Sequence, residues 1–307
     1  MKIATNFLFD RSTSQMSEAQ NRLATTQAKV SQGKQVISPS DAPEQASTIQ
    51  RLKGMIARQD DYTNTLDTVS RRLEDEEAYL QSASDTLIRI TELVMQAAND
   101  TNGATDREAI SNEIASLRDH LMSVANAQDP DGGYLFAGGR AASPPYVKDG
   151  SGKVVYQGDQ TRMKVLAGDT RRIQINRSGS DVFVGATRLN KNGEAYKVEF
   201  FGVIDGLVAG IKEGDHAAMS RGNGEMTQLL DGVSLALGAV GSDMGAVEAQ
   251  KDLVAGAKLR LQTALSAVED LDYTEAIAQM NKEMLALEAA QGSFARIAQL
   301  SLFNFLN

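Results

Sequence analysis

The stretch YTNTLDTVSRRLEDEEAYLQSASDTLIRITELVMQA (residues 62–97) carries the clearest periodic pattern in the chain. Apolar residues recur at alternating spacings of four and three, at positions 62, 66, 69, 73, 80, 83, 87, 90, 94 and 97, and only Glu76 departs from the pattern. Such spacing over five heptads is typical of a coiled-coil helix. It predicts one long helix from about Pro43 to Asn99, roughly 85 Å in length at 1.5 Å per residue.

Two further segments have the same four–three spacing of apolar residues, and we expect them to pack against the long helix. One runs from about Thr105 to Gln128 and follows the turn Asn102-Gly103 so closely that an antiparallel pair is expected. The other spans 230–268, where ten of twelve seam positions are apolar and the two exceptions are Lys251 and Lys258. These segments predict a long antiparallel coiled-coil helical bundle.

The pattern changes at Asp129, where turn-rich sequence replaces helix. Short β-type runs follow, separated by turn pairs such as Asp149-Gly150 and Gly168-Asp169. The expected strands are 153–157, 162–167, 171–176 and 195–201. The predicted fold class is therefore mainly α with a small β-rich insertion, arranged as a long antiparallel coiled-coil helical bundle.

Both ends of the chain are predicted to be amphipathic helices. The N-terminal helix has a weakly apolar stripe, and the stripe of the C-terminal helix continues into the apolar end of the chain. Alone in water, such a helix is marginal, and an uncovered stripe favours assembly of many copies. We predict self-assembly contacts at these positions: Phe9, Met16, Leu23, Val30, Ile277, Met284, Phe294, Leu300, Leu302, Phe303 and Phe305. On α-helical spacing Ile277, Met284 and Phe294 are expected to form a single stripe together with Met280 and Leu287.

The predicted domain organisation has three parts. Terminal assembly helices occupy 1–36 and 273–307, the long helical bundle occupies 37–130 and 203–272, and the β-rich outer domain occupies 131–202.

Composition argues against several functional classes. The 307 residues include no Cys, which excludes disulfides and thiolate sites, and the net charge of −9 comes without a basic stripe for nucleic acid. Asp129 and Asp131 resemble the start of a calcium loop, but its twelfth position is Arg140 where a Glu is needed, so a plain turn is expected. No catalytic, cofactor-binding or metal-binding residues are predicted, and we expect the protein not to be an enzyme.

The N-terminal sequence MKIATNFLFDR lacks the apolar core of a secretory signal, because Asp10 and Arg11 interrupt the apolar run. No stretch approaches the roughly 20 apolar residues of a membrane span. We expect a protein without membrane insertion that does not use the general secretory route.

Several stretches together resemble the flagellin family over nearly the whole chain. These are LIRITELVMQAANDTN (87–102), AISNEIASLRDHLMSVAN (109–126) and the C-terminal residues 268–306. The segment ISPSDAPEQAS (37–47) departs from flagellins, which carry two Asp residues there. With GGYLFAGG (132–139), and VVYQGD (154–159), that departure favours the family members found at the hook–filament junction.

The resemblance implies a structural subunit that joins the flagellar hook to the filament as a homo-oligomeric ring. Its expected partners are the first hook-associated protein on one side, flagellin on the other, and a flagellar export chaperone. Its expected location is the extracellular flagellum, reached through the flagellar export apparatus without a cleaved signal peptide. The terminal helices would line an inner tube.

Two alternatives remain at this point. The chain could be a flagellin, the filament subunit itself, which shares the terminal helices. It could also be a coiled-coil surface adhesin, or a coiled-coil-stalked enzyme, with the β-rich domain as the active part, although no catalytic constellation supports an enzyme.

Overall fold

The computed structural model describes the backbone of residues 2–99, 102–190 and 193–303, and the side chains of these residues apart from 2–6, 8 and 297–303. The described elements, in chain order, are α1 (Lys2–Gln32), α2 (Pro43–Ala97), α3 (Ala104–Ala125), β1 (Tyr146–Lys148), β2 (Val154–Tyr156), β3 (Lys164–Leu166), β4 (Arg172–Gln174), α4 (Gly179–Val182), β5 (Ala186–Leu189), β6 (Ala195–Val198), α5 (Phe200–Glu213), α6 (His216–Glu269) and α7 (Tyr273–Phe303). The predicted fold class, mainly α with a small β-rich insertion, is confirmed.

The chain divides into two compact units. The first, unit 1, comprises Met1–Asp60 and Gly256–Asn307, and the second, unit 2, comprises Asp61–Ala255. The long helices α2 and α6 contribute residues to both. The predicted three-part division follows different boundaries and stays a prediction.

Unit 2 is built on the seam that the sequence predicted along α2. Every predicted seam residue from Leu66 to Ala97 is buried, and Glu76 is buried with them. They join apolar residues of α3, α5 and α6 in one hydrophobic cluster. Removing this much apolar surface from water is the main stabilising term of unit 2.

Polar contacts show that neighbouring helices of unit 2 run antiparallel. On α2 and α3, Arg89 contacts Glu113 and Ser82 contacts His120, so one residue number rises as the other falls. Between α3 and α5, the buried Arg118 donates to both carboxylate oxygens of Asp205, at 2.8 and 3.1 Å, whereas the earlier Arg107 lies against the later Gly214, 3.4 Å from its Cβ position. The antiparallel bundle expected from the sequence is thus present in unit 2.

The β-rich insertion consists of three two-stranded antiparallel hairpins, β1–β2, β3–β4 and β5–β6. Sequence patterns found β2, β3, β4 and β6 but missed β1 and β5. The run expected to reach Phe201 ends at Val198, because Phe200 and Phe201 begin α5 and pack into the aromatic cluster around Phe183.

Candidate assembly surface on the terminal helices

In unit 1, α1 and α7 pack against each other as an antiparallel pair. At one end the rings of Phe9 and Phe294 lie 4.9 Å apart between centroids. At the other end a Cβ on Gly33, which has φ of +65°, would lie 2.7 Å from the Tyr273 hydroxyl oxygen. Each terminal helix therefore covers part of the other helix's apolar stripe.

The contact between these helices is a shallow seam of small and half-buried residues. Ala19 on α1 and Ala276 on α7 are buried, and both lie at the three–four spacing of a coiled coil. The seam residues that are only partly buried are Met16, Leu23 and Val30 on α1 and Met280, Leu287 and Phe294 on α7.

The predicted C-terminal stripe of α7 is unevenly buried. Phe294 contacts Phe9 on α1, and Met280 and Leu287 are half-buried, whereas Ile277 and Met284 have 45% and 43% of their surface exposed. The assembly role of this stripe stays a prediction, and its exposed residues are the ones that a partner could cover.

The remaining predicted assembly residues divide as follows. Phe9 contacts Phe294 yet stays 42% exposed. Leu300, Leu302 and Phe303 lie on positions whose side chains are outside the described residues, and Phe305 lies outside them altogether.

Sequence reasoning missed Leu285, which is 67% exposed and lies beside Met284 on α7. It also missed Phe7, which is 65% exposed. A search for apolar residues out of phase with the α1-facing seam would have found Leu285. We call Ile277, Met284 and Leu285 the outer stripe of α7.

A charge cluster anchors the turns at the base of both terminal helices. The Glu269 carboxylate accepts hydrogen bonds from Lys34 and Lys53 at 2.8 and 2.9 Å. Hydrogen bonds from Lys34 and then Lys53 hold the pKa of Glu269 below its ordinary value. The backbone adds two bonds, from Gln35 N–H to the Glu269 carbonyl at 2.8 Å and from Leu271 N–H to the Gly33 carbonyl at 3.0 Å. These contacts join the start of α2 and the end of α6 to both terminal helices.

A second charge cluster lies in unit 2, around the single polar residue of the α2 seam. Glu76 is 1% exposed and accepts from Arg177 at 3.0 Å, while Arg177 also pairs with Asp243 on α6. Arg72, one turn earlier on α2, pairs with Asp129 at 2.6 Å. The single departure from the apolar pattern of α2 is thus paired with an arginine of the same chain.

The protonation of Glu76 is perturbed by its surroundings. Burial raises the pKa of Glu76 to about 7, and the charges of Arg177 and Arg72 oppose that rise only in part. One oxygen, Oε1, has no hydrogen-bond partner in the described part of the chain and lies 3.9 Å from Arg72 Nε. A buried carboxylate with one unpaired oxygen lowers the stability of the folded state when it is ionised.

Neither cluster forms a metal site in the part of the chain that the structure describes. No group of three His, Cys, Asp or Glu side chains able to hold a metal ion occurs among the described residues. Asp129 accepts from the backbone N–H groups of Asp131 and Gly133 and so closes a turn, as expected.

Comparisons with known proteins agree with this architecture. Residues 3–141 match the model of the bacterial flagellin N-terminal helical region. Flagellar hook-associated protein 3 of Escherichia coli is 25% identical over 99% of both chains. Flagellin A of Vibrio cholerae is 27% identical over 47% of this chain and 38% of its own length.

Solved structures share the fold. A putative flagellar hook-associated protein from Vibrio parahaemolyticus aligns with a TM-score of 0.68 at 21% identity, covering 75% of this chain and all of that one. The flagellar junction protein FlgL from Legionella pneumophila aligns with a TM-score of 0.57 at 17% identity, covering 74% of this chain and 99% of that one.

These findings define the class that the chain resembles: it is similar to flagellin-related proteins of the bacterial flagellum. Within that class its sequence similarity extends over 99% of flagellar hook-associated protein 3 of Escherichia coli, whereas sequence similarity to the flagellins of Clostridium tyrobutyricum and Vibrio cholerae covers 42% and 47% of the chain. The family expected from the sequence is confirmed.

Proposed function

We propose that the chain is an adaptor subunit that joins the flagellar hook to the filament, and that copies of it form a ring through α1 and α7. The observation that carries the proposal is the outer stripe of α7, where Ile277, Met284 and Leu285 are 45%, 43% and 67% exposed. Burying a large apolar side chain contributes about 1.5–3 kcal/mol, so covering this stripe would supply substantial assembly energy per copy. The full-length similarity to flagellar hook-associated protein 3 supports the role.

The proposal includes the proteins that lie next to the ring and the route by which the chain leaves the cell. The first hook-associated protein lies on one side of the ring and flagellin on the other, and an export chaperone covers the C-terminal helix before assembly. The chain reaches the cell exterior through the flagellar export apparatus without a cleaved signal peptide. Among the described residues, no helix is long and apolar enough to cross a membrane.

The test is complementation of a strain made non-motile by deletion of its own hook–filament junction protein. The wild-type gene is expected to restore swimming and attached filaments, and Leu285→Asp is expected to abolish both. Leu285 is exposed, so the change should leave the monomer folded, which circular dichroism would check.

Leu253→Asp on α6 is a matched control, because Leu253 is also 67% exposed but lies outside the terminal helices. It should swim as wild type does. Normal swimming of the Leu285→Asp strain would contradict the proposed role of α7.

A filament subunit is the second candidate, supported by the family model over residues 3–141. Purified flagellin grows long filaments on filament seeds, whereas a junction subunit does not. Seeded growth observed by electron microscopy would therefore replace the junction proposal with the filament one.

A further inference from the structure

Unit 1 contains a cavity of about 400 Å³ beside the anchor of the terminal helices. The segment before α2, the first turns of α2 and the last turn of α6 enclose it. Its apolar lining comprises Val36, Ile37, Pro39, Pro43, Ala46 and Ile49. This volume is large enough for one or two apolar side chains of a partner, and a concave surface with apolar lining is typical of a binding site.

The polar edge of this cavity presents positive charge to solvent. Lys34 and Lys53 both line it, with 46% and 42% of their side chains exposed. They share one oxygen of Glu269, whose side chain is only 11% exposed. Two further carboxylates lie nearby without lining the cavity: Asp270 acts on Lys34, and Asp41 accepts a hydrogen bond from the Ser38 N–H at 3.0 Å. The matching ligand is an apolar side chain followed closely by a carboxylate.

The outer stripe of α7 has this chemistry. Ile277 and Met284 lie seven residues apart on one line of the helix, Leu285 lies beside them, and Glu288 follows Met284 by four residues on the same line. Glu288 is exposed, as are the three apolar residues. A helix presenting apolar anchors and a flanking charge at this spacing is a common docking element.

The occupant cannot be α7 of the same copy. Gly33, next to the cavity lining, lies against Tyr273 at the first residue of α7. Met284 is eleven residues further on, about 16 Å along the helix axis. From there α7 runs along α1 to the Phe9–Phe294 contact, so Met284 and Leu285 lie too far along the helix to enter the cavity of their own copy.

We propose that the cavity beside Lys34 and Lys53 of one copy receives the outer stripe of α7, with Glu288, from a second copy of this chain. The two surfaces are different, so the contact is head-to-tail, and repetition of it generates a ring or a helical array. The inference rests on the proposed assembly role and identifies the surface that covers the α7 stripe.

The absence of Cys permits a direct cross-linking test on the full-length protein. A tagged Gln50→Cys variant, changed at an exposed residue of the cavity lining, is mixed with an untagged Leu285→Cys variant under mild oxidation. The expected result is a disulfide-linked heterodimer at several times the yield of a control mixture of the Gln50→Cys and Leu253→Cys variants. A yield no greater than that of the control overturns the proposal.

Charge reversal tests the ionic part of the contact. Adding Glu288→Lys to the Leu285→Cys variant should lower the heterodimer yield several-fold, and adding Lys53→Glu to the Gln50→Cys variant should restore it. Failure of both changes to alter the yield would overturn the pairing of Glu288 with the lysines.

The cross-linking result is independent of motility, so the two proposals can fail separately. Loss of swimming in Leu285→Asp without the specific heterodimer would keep the assembly role and show that a surface other than this cavity covers the α7 stripe. That outcome would overturn this inference alone.

Discussion

At the scale of single residues, Glu76 links a buried charge to the pH dependence of stability. Its folded-state pKa of about 7 lies above the ordinary value of 4.5 because burial disfavours the ionised form. Between these two pH values the folded chain binds more protons than the unfolded chain at this site. The free energy of unfolding of unit 2 should therefore fall as pH rises through that window, by up to ~3 kcal/mol for this group.

Glu76→Gln removes this titration and retains the side-chain shape. We expect its urea midpoint, followed by circular dichroism, to fall less than that of the wild type between pH 4.5 and pH 8. Glu77→Gln is the matched control, because Glu77 is its exposed neighbour, and it should behave as the wild type does. An identical decline in the Glu76→Gln variant would contradict the raised pKa.

Gly138 is a second residue whose identity is dictated by its surroundings. Its φ is +67°, and an added Cβ would lie 2.2 Å from the Asp159 carbonyl oxygen. Gly138→Ala should thus destabilise unit 2 by more than the ~1–2 kcal/mol of the left-handed conformation alone. Gly152→Ala is the control, since Gly152 has φ of +81° with no atom near its Cβ position. Equal losses in thermal unfolding would show that the close approach to Asp159 is unimportant.

At the scale of secondary-structure elements, the pairing of α1 with α7 depends on few large contacts. The Phe9–Phe294 ring pair is the main aromatic contact described between them. Phe294→Ala removes that contact and should lower the stability of the pair by about 1–2 kcal/mol, less than for a fully buried ring. Faster amide hydrogen exchange in both helices would report it.

Leu285→Ala is the control for this change, because Leu285 is exposed and Ala suits a helix. Its exchange rates should match the wild type. If Phe294→Ala also leaves exchange unchanged, the α1–α7 seam does not hold the terminal helices together in solution.

At the scale of the whole molecule, the two units should differ in resistance to proteolysis. Unit 2 has many fully buried side chains, among them Leu66, Leu80 and Leu87, whereas the α1–α7 seam is mostly half-buried. Since cleavage follows local opening, limited proteolysis should remove about the first and last 35 residues and leave roughly 45–265. Mass spectrometry would identify the core. Survival of the full-length chain would show that the terminal helices are as stable as unit 2.

The sequence by itself determined the elements with strong local signals. The seam from Leu66 to Ala97 was predictable because a four–three apolar rhythm buries one face of a helix whatever the partner is. The helical class and the flagellin-type character followed from this pattern and from several quoted stretches. Strands β1 and β5 were missed although they are no shorter than the strands that were found; each is fixed by its antiparallel partner, β2 or β6, which a local pattern does not specify.

Only the tertiary structure decided which faces remain open and which charges meet. Arg177 is 101 residues from Glu76 along the chain, so no local pattern could pair them. On α7, apolar residues occupy several sides of the helix, and sequence periodicity alone did not separate Phe294, which packs on α1, from Met284, which is exposed. The physical reason is that a side chain is buried only if an element from a distant part of the chain packs on it. Sequence periodicity shows that a helix has an apolar face, but not which element covers that face.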